Sequence, residues 1–286
     1  MTASVNPLTS LFTSSFGSGD ALLNALYGTG TQSGAPSGQA SIQALTSAET
    51  NQARDSKLTA AQPEVQRAIS TFTQAVNGAK SVKQLLANPA VMNVLLTAAG
   101  MQDQLGSTAL ATQALTSKLS DPKSLANRLT DTRWKTLAQQ YNFDTTGLKS
   151  IQNPAAIAAI AKSYAQATWQ AGQDTVTPGL SNALAFRAGA SKLTSVDQIL
   201  GNPVMRKVVT TALGIPEQIA FQSLNAQEIA ISSRLDITKL KDPKFVESFV
   251  KRYLIENSAK VASAAASSNA TPDLTTLAIK GRGFLA

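Results

Sequence analysis

The sequence holds no cysteine and no histidine in 286 residues. Those two absences remove disulfides, thiolate nucleophiles, Cys/His zinc sites, imidazole acid–base chemistry and the usual serine triad. A chain without thiols is indifferent to redox compartment, and it suits a protein that must stay unfolded in transit. Aromatic residues are only 5% of the chain, which leaves few rings to stack on nucleic-acid bases. No apolar run approaches the ~18 residues that cross a bilayer as a helix. The first Lys or Arg is Arg54, so no basic segment opens a secretory signal, and neither Sec export nor a membrane anchor is expected.

Acidic charge is also in short supply. The net charge is +8 and the isoelectric point near 9.7, which invites a nucleic-acid partner. The distribution argues against one. Lys118, Lys123, Arg128, Arg133 and Lys135 are interleaved with Asp121 and Asp131, and Lys239, Lys241, Lys244, Lys251 and Arg252 with Asp236, Asp242 and Glu247. Mixed signs of this kind describe solvated helix faces.

Residues 1–48 carry a single charge, Asp20, and are crowded with Ser, Thr, Gly and Ala. Such a segment cannot offset its folding entropy by burial, so a flexible N-terminal segment is expected through residue 58. Two apolar islands interrupt it, Leu8, Leu11, Phe12 and Phe16, then Leu22, Leu23, Leu26 and Tyr27. At spacings of three and four they read either as short amphipathic helices that dock on a partner or as a linker with scattered apolar residues. They are the candidate partner-binding residues. No catalytic, cofactor or metal residue is assigned.

What the chain does have is internal similarity. Ser81-Val82-Lys83-Gln84-Leu85-Leu86-Ala87-Asn88-Pro89 returns as Ser195-Val196-Asp197-Gln198-Ile199-Leu200-Gly201-Asn202-Pro203, at an offset of 114 (203 − 89). Thr97-Ala98-Ala99-Gly100 returns as Thr211-Ala212-Leu213-Gly214, and Phe72 as Phe186. Asp121-Pro122-Lys123 returns as Asp242-Pro243-Lys244 at an offset of 121 (242 − 121), so the second copy gains seven residues, expected between Gly214 and Asp242. The reading is an all-α fold of two similar helical lobes, 59–150 and 151–260, followed by a tail, 261–286, with a short helix from Pro272.

Local signals agree on helix. Val65, Ile69, Phe72 and Val76 form an apolar stripe just after Pro63. Asn88-Pro89, Asn153-Pro154 and Asn202-Pro203 each place a capping side chain before a proline suited to the first helical position. Asp121-Pro122 and Asp242-Pro243 predict two more starts, and Gly100 and Gly214 predict helix stops. No period-two run bounded by hairpin turns predicts a strand. Trp134 and Trp169 read as core. Gly78-Ala79-Lys80-Ser81 ends like a phosphate loop but has Thr73 where its first glycine belongs. Asp131 beside Arg133 and Glu247 near Lys244 read as surface ion pairs or caps rather than as an acid and a base.

Asp121-Pro122-Lys123-Ser124-Leu125-Ala126-Asn127-Arg128-Leu129-Thr130-Asp131-Thr132-Arg133-Trp134-Lys135, then Tyr141-Asn142-Phe143, resembles a signature of the bacterial domain-of-unknown-function family numbered twelve-seventeen. The resemblance continues through Ser181-Asn182-Ala183-Leu184-Ala185-Phe186-Arg187, Leu213-Gly214-Ile215-Pro216, Ser233-Arg234-Leu235-Asp236-Ile237 and Phe249-Val250-Lys251-Arg252-Tyr253-Leu254, covering about Pro63 to Glu256. Trp134 and Asn142 stand where the pattern has Tyr and Gly. The resemblance implies a helical protein of unassigned activity, encoded among flagellar genes, with no active site. The expectation is a non-enzymatic structural or assembly protein of the bacterial flagellum, exported by the flagellar type III channel, with flagellar proteins or itself as partners. The alternative is a cytoplasmic chaperone or regulator of an exported flagellar subunit.

Overall fold

A computed structural model describes residues 36–269. Among them every regular element is helical and no strand occurs. Fourteen α-helices run α1 Gly38–Ala60, α2 Pro63–Gly78, α3 Val82–Leu86, α4 Pro89–Ala98, α5 Thr108–Leu115, α6 Leu125–Arg128, α7 Thr132–Tyr141, α8 Phe143–Thr146, α9 Pro154–Gln173, α10 Leu180–Gly189, α11 Val196–Leu200, α12 Pro203–Ala212, α13 Leu224–Ser232 and α14 Pro243–Asn269. Short 3-10 turns occupy Gln102–Gln104, Gly147–Ser150, Ala190–Lys192, Glu217–Phe221 and Ile237–Lys241.

The Asn capping signals act as the sequence predicts in both related stretches, and two serines add caps not singled out from the sequence. Ser81 accepts from Gln84 N while the Gln84 amide oxygen accepts from Lys80 N at 3.0 Å, and Ser195 with Gln198 and Thr194 repeats the arrangement. Asn88 accepts from Ala90 N, and Asn202 from Val204 N and Met205 N, each ahead of a ten-residue helix. Both helices end in the same glycine motif. Gly100 and Gly214 take φ of 68° and 65°, and Met101 N and Ile215 N reach back to Leu96 O and Thr210 O. Replacing Asn88 or Asn202 by Ala is expected to cost about 0.5–2 kcal/mol of stability, read by urea titration.

The Asp-Pro pairs differ. Asp242 and Pro243 open α14, whereas Asp121 and Pro122 open only a turn, with Asp121 Oδ1 accepting from Lys123 N at 2.9 Å and α6 starting at Leu125. The expected helix from Pro122 is therefore corrected. Asn127 explains the difference, since its amide donates to Leu119 O and Asp121 O, holding the chain in a loop that a continuous helix would straighten. Much of the second stretch's extra length lies in the 3-10 turn Ile237–Lys241, which has no counterpart ahead of Asp121.

A second correction concerns the N-terminal side. Residues 38–58, expected to be flexible, belong to α1, with Ser37 as N-cap and Ser41, Leu45 and Ala48 buried at spacings of four and three. Burial is local but specific. Ser41 and Ser258 share a buried hydrogen bond of 2.8 Å, and Glu49 pairs with Arg187.

Buried apolar residues form two clusters. One contains Phe72, Leu85, Leu95, Trp134, Tyr141 and Ile160. The other contains Leu45, Trp169, Phe186, Val208, Phe249 and Tyr253. α9 contributes to both, with Ile160 near its start and Trp169 near its end, and it packs on α1, α4 and α10. Against it α4 is buried almost all round and carries no charge, while α12 places Arg206 and Lys207 on its outer side. α1 seats Leu45 and Ala48 in the second cluster although α2, the next helix, belongs to the first. Asn142, at the end of α7, takes φ 46°, a left-handed conformation that glycine and then asparagine adopt most easily.

Candidate functional site

Between α4, α7, α9, α10 and α12 the described chain leaves a cleft of about 390 Å³. Its centre is Arg133. Asp131 caps α7 through Arg133 N at 3.0 Å, and the same carboxylate holds the Arg133 guanidinium at 2.7 Å. Asp103, from the 3-10 turn after α4, takes the other edge of the fork at 2.7 and 3.0 Å, and Gly100 O accepts a further bond at 3.1 Å. The arginine side chain is only 9% exposed. Burial opposes its charge, but the hydrogen bonds it donates to Asp131 and Asp103 outweigh that and hold Arg133 above its ordinary pKa.

Across the cleft, Asp174 caps α10, accepting from Ser181 N at 2.8 Å and from its hydroxyl. Lys207 also lines the cleft and forms no ion pair among the described residues. The next cavity, about 380 Å³, shares Arg133 and reaches Gly201's neighbours Asn202 and Thr132. There Thr132 N donates to Gly201 O at 2.7 Å, joining the entry of α7 to the α11–α12 turn.

The cleft therefore uses its carboxylates and its arginine on one another and on helix ends. Its hydroxyl–carboxylate pair, Ser181 on Asp174, sits at the start of α10, and no group of Asp and Glu among the described residues is arranged to hold a metal ion. Asp131 and Arg133 are the cap and ion pair that their spacing suggests, now extended to Asp103. Glu247 pairs with Lys251, one turn on, rather than with Lys244. Gly78 to Ser81 is the end of α2 and the cap of α3. Leu8, Leu11, Phe12, Phe16, Leu22, Leu23, Leu26 and Tyr27 lie outside the described residues, as does the tail from Pro272.

Asp103 makes the cleft sensitive to acid. Burial pushes its carboxyl up, but hydrogen bonds from Arg133 and Gln104 outweigh burial and hold it below the ordinary 3.8. A lowered carboxyl pKa adds stability above the unfolded value, and that stability disappears as pH falls through the folded one. Urea midpoints should therefore fall more steeply below about pH 4 in the parent than in Asp103→Asn. Equal slopes would remove Asp103 from the acid response.

The profile of a family described as a protein of unknown function, DUF1217, matches residues 98–246. The chain belongs to this family. The match spans α5 to α13 and hence most of the cleft, including Asp103, Arg133, Asp174 and Lys207, while α1 to α3 lie outside it. A search of curated proteins returns no match. Among solved structures, a crystal structure of a protein from Agrobacterium tumefaciens is similar. That protein is 22% identical, with a TM-score of 0.66 over 78% of this chain and 94% of the other, a likeness in fold. No described helix is long and apolar enough to cross a membrane.

Proposed function

We propose that this DUF1217 protein is a non-enzymatic structural or assembly protein of the bacterial flagellum and a substrate of flagellar type III export. The observation that carries the non-enzymatic part is the use of charge. Asp131, Asp103, Arg133, Asp174, Glu49 and Arg187 are all engaged in caps or cross-links between helices. The flagellar part rests on what the sequence resemblance implies and on a thiol-free, aromatic-poor composition compatible with passage as an unfolded chain.

The scaffold is, in this reading, a degenerate duplication. α3 and α4 match α11 and α12 in length, caps and terminal glycine, although Ile151 and Ile160 of the second copy join the first cluster and Leu45 and Ala48, outside both copies, join the second. A duplicated helical unit offers binding faces rather than a reaction centre. Deleting the gene should impair swimming and alter the flagellar proteins found in the culture medium. Normal motility with normal filaments would refute the proposal.

An open groove between α1, α2 and α9 favours a second reading, a cytoplasmic chaperone or regulator that holds an exported flagellar subunit. Location separates the two. Protein recovered from sheared filaments or medium supports the first, and protein confined to the cytosol in complex with a subunit supports the second.

A further inference from the structure

We propose that the groove between α1, α2 and α9 binds an acidic amphipathic helix of a partner protein, which completes a four-helix cluster. Each pair of these three helices is in contact, yet they enclose an open groove of about 720 Å³. Along α1 the groove runs from Glu49 to Ala60, about 17 Å or three helical turns. The apolar part of its lining is Ala53, Ala60, Ala161, Ala165 and Ile69, set among glutamines and other polar side chains. Small side chains on three converging helices let a fourth backbone approach closely, and Ile69 supplies an apolar contact.

Charge selects the occupant. The groove has one carboxylate, Glu49, and Arg187 already holds it. Its two lysines, Lys57 and Lys162, are exposed and have no ion-pair partner among the described residues. The Ser56 hydroxyl lies out of solvent on the same wall with no hydrogen-bond partner. An incoming helix with an apolar stripe and flanking carboxylates pairs with both lysines, while the Ser56 hydroxyl, already out of solvent, takes no part in the contact. A second copy of the chain does not, because each carries +8. Residues 1–48 hold a single acid, Asp20, and are a poor charge complement as well.

The inference is independent of the flagellar assignment, since the groove's chemistry is the same whichever assembly supplies the helix. The test uses the full chain with Thr50→Cys, an exposed groove position and its only thiol, and reads the rate of alkylation by iodoacetamide. The probes are two synthetic helical peptides of about 18 residues with the same Ala/Leu face, one flanked by Glu and one by Lys. The Glu peptide should slow alkylation at least tenfold and the Lys peptide should not. Adding Lys57→Glu and Lys162→Glu should reverse the preference, and adding Ala53→Trp, which fills the groove from an exposed position, should abolish protection.

Anisotropy of the labelled Glu peptide with the unsubstituted chain gives a second readout that does not depend on the new thiol. Binding that ignores peptide charge, no binding in either assay, or a thiol shielded until residues 1–35 are removed by protease would each overturn the proposal. A failure here leaves the motility phenotype untouched, and normal motility leaves peptide binding untouched.

Discussion

Gly201→Ala should lower stability by about 3 kcal/mol, near the upper end of what one inserted methyl costs in a packed site. The added Cβ would stand 2.6 Å from Thr132 Cγ2 and 3.0 Å from Thr130 O. Both atoms lie at the entry to α7, where Thr132 N and its hydroxyl bond to Gly201 O at 2.7 and 3.2 Å. The turn itself does not need glycine. Ala87 holds the corresponding position after α3 with φ −73° and ψ −13°, against −76° and −3° at Gly201. What differs is the neighbour, since Ala87 is exposed and Gly201 is buried against another helix's start.

The urea midpoint should fall with an unchanged slope. Gly78→Ala is the control. It closes α2, a new Cβ there meets nothing within 4 Å, and it should stabilise by about 0.4–1 kcal/mol. If the two substitutions behave alike, the close approach at Gly201 is not real.

Arg133→Ala should cost about 3 kcal/mol, the lower end for breaking a buried ion pair, because Asp103 is 49% exposed and can recover part of its hydration. The loss has three parts. Asp131 keeps its cap but loses its counter-charge, Asp103 no longer ties the turn after α4 to α7, and Gly100 O loses a donor. Arg133→Lys should recover little, since an ammonium cannot span two carboxylates as the guanidinium fork does. Combining Arg133→Ala with Asp103→Asn should cost less than the sum of the two alone, a coupling that a double-mutant cycle measures. Strict additivity would mean that the pair contributes nothing across the cleft.

Much of the fold was legible because helix ends announce themselves locally. Asn88, Asn153 and Asn202 all cap the helices that follow them, and Trp134 and Trp169 are core. α1 was missed because its apolar content is low, with Leu45 its one fully buried large residue. The signal was the unbroken run from Gln39 to Gln62 without Gly or Pro, preceded by Ser37. Asp121-Pro122 misled because an Asp-Pro pair serves a turn as readily as a helix start, and Asn127 decides between them from six residues away.

The cleft was legible only in its local half. Asp131 with Arg133 is a two-residue relation, but Asp103 joins them across 30 residues of chain, and no spacing rule announces that contact. The groove between α1, α2 and α9 was hidden for the same reason, since it depends on α1 lying beside α9.

The seat of α1 sets the order in which this protein comes apart under load. A pull at residue 38 does not first reach α2 and the cluster that follows it in sequence. It lifts Ser41 from Ser258, then Leu45 and Glu49 from the cluster that the C-terminal helices build. The cluster that also holds Phe186 and Tyr253 is thus opened by α1 while the cluster around Phe72 and Leu95 still stands. Traction from the front of the chain loosens it from the back.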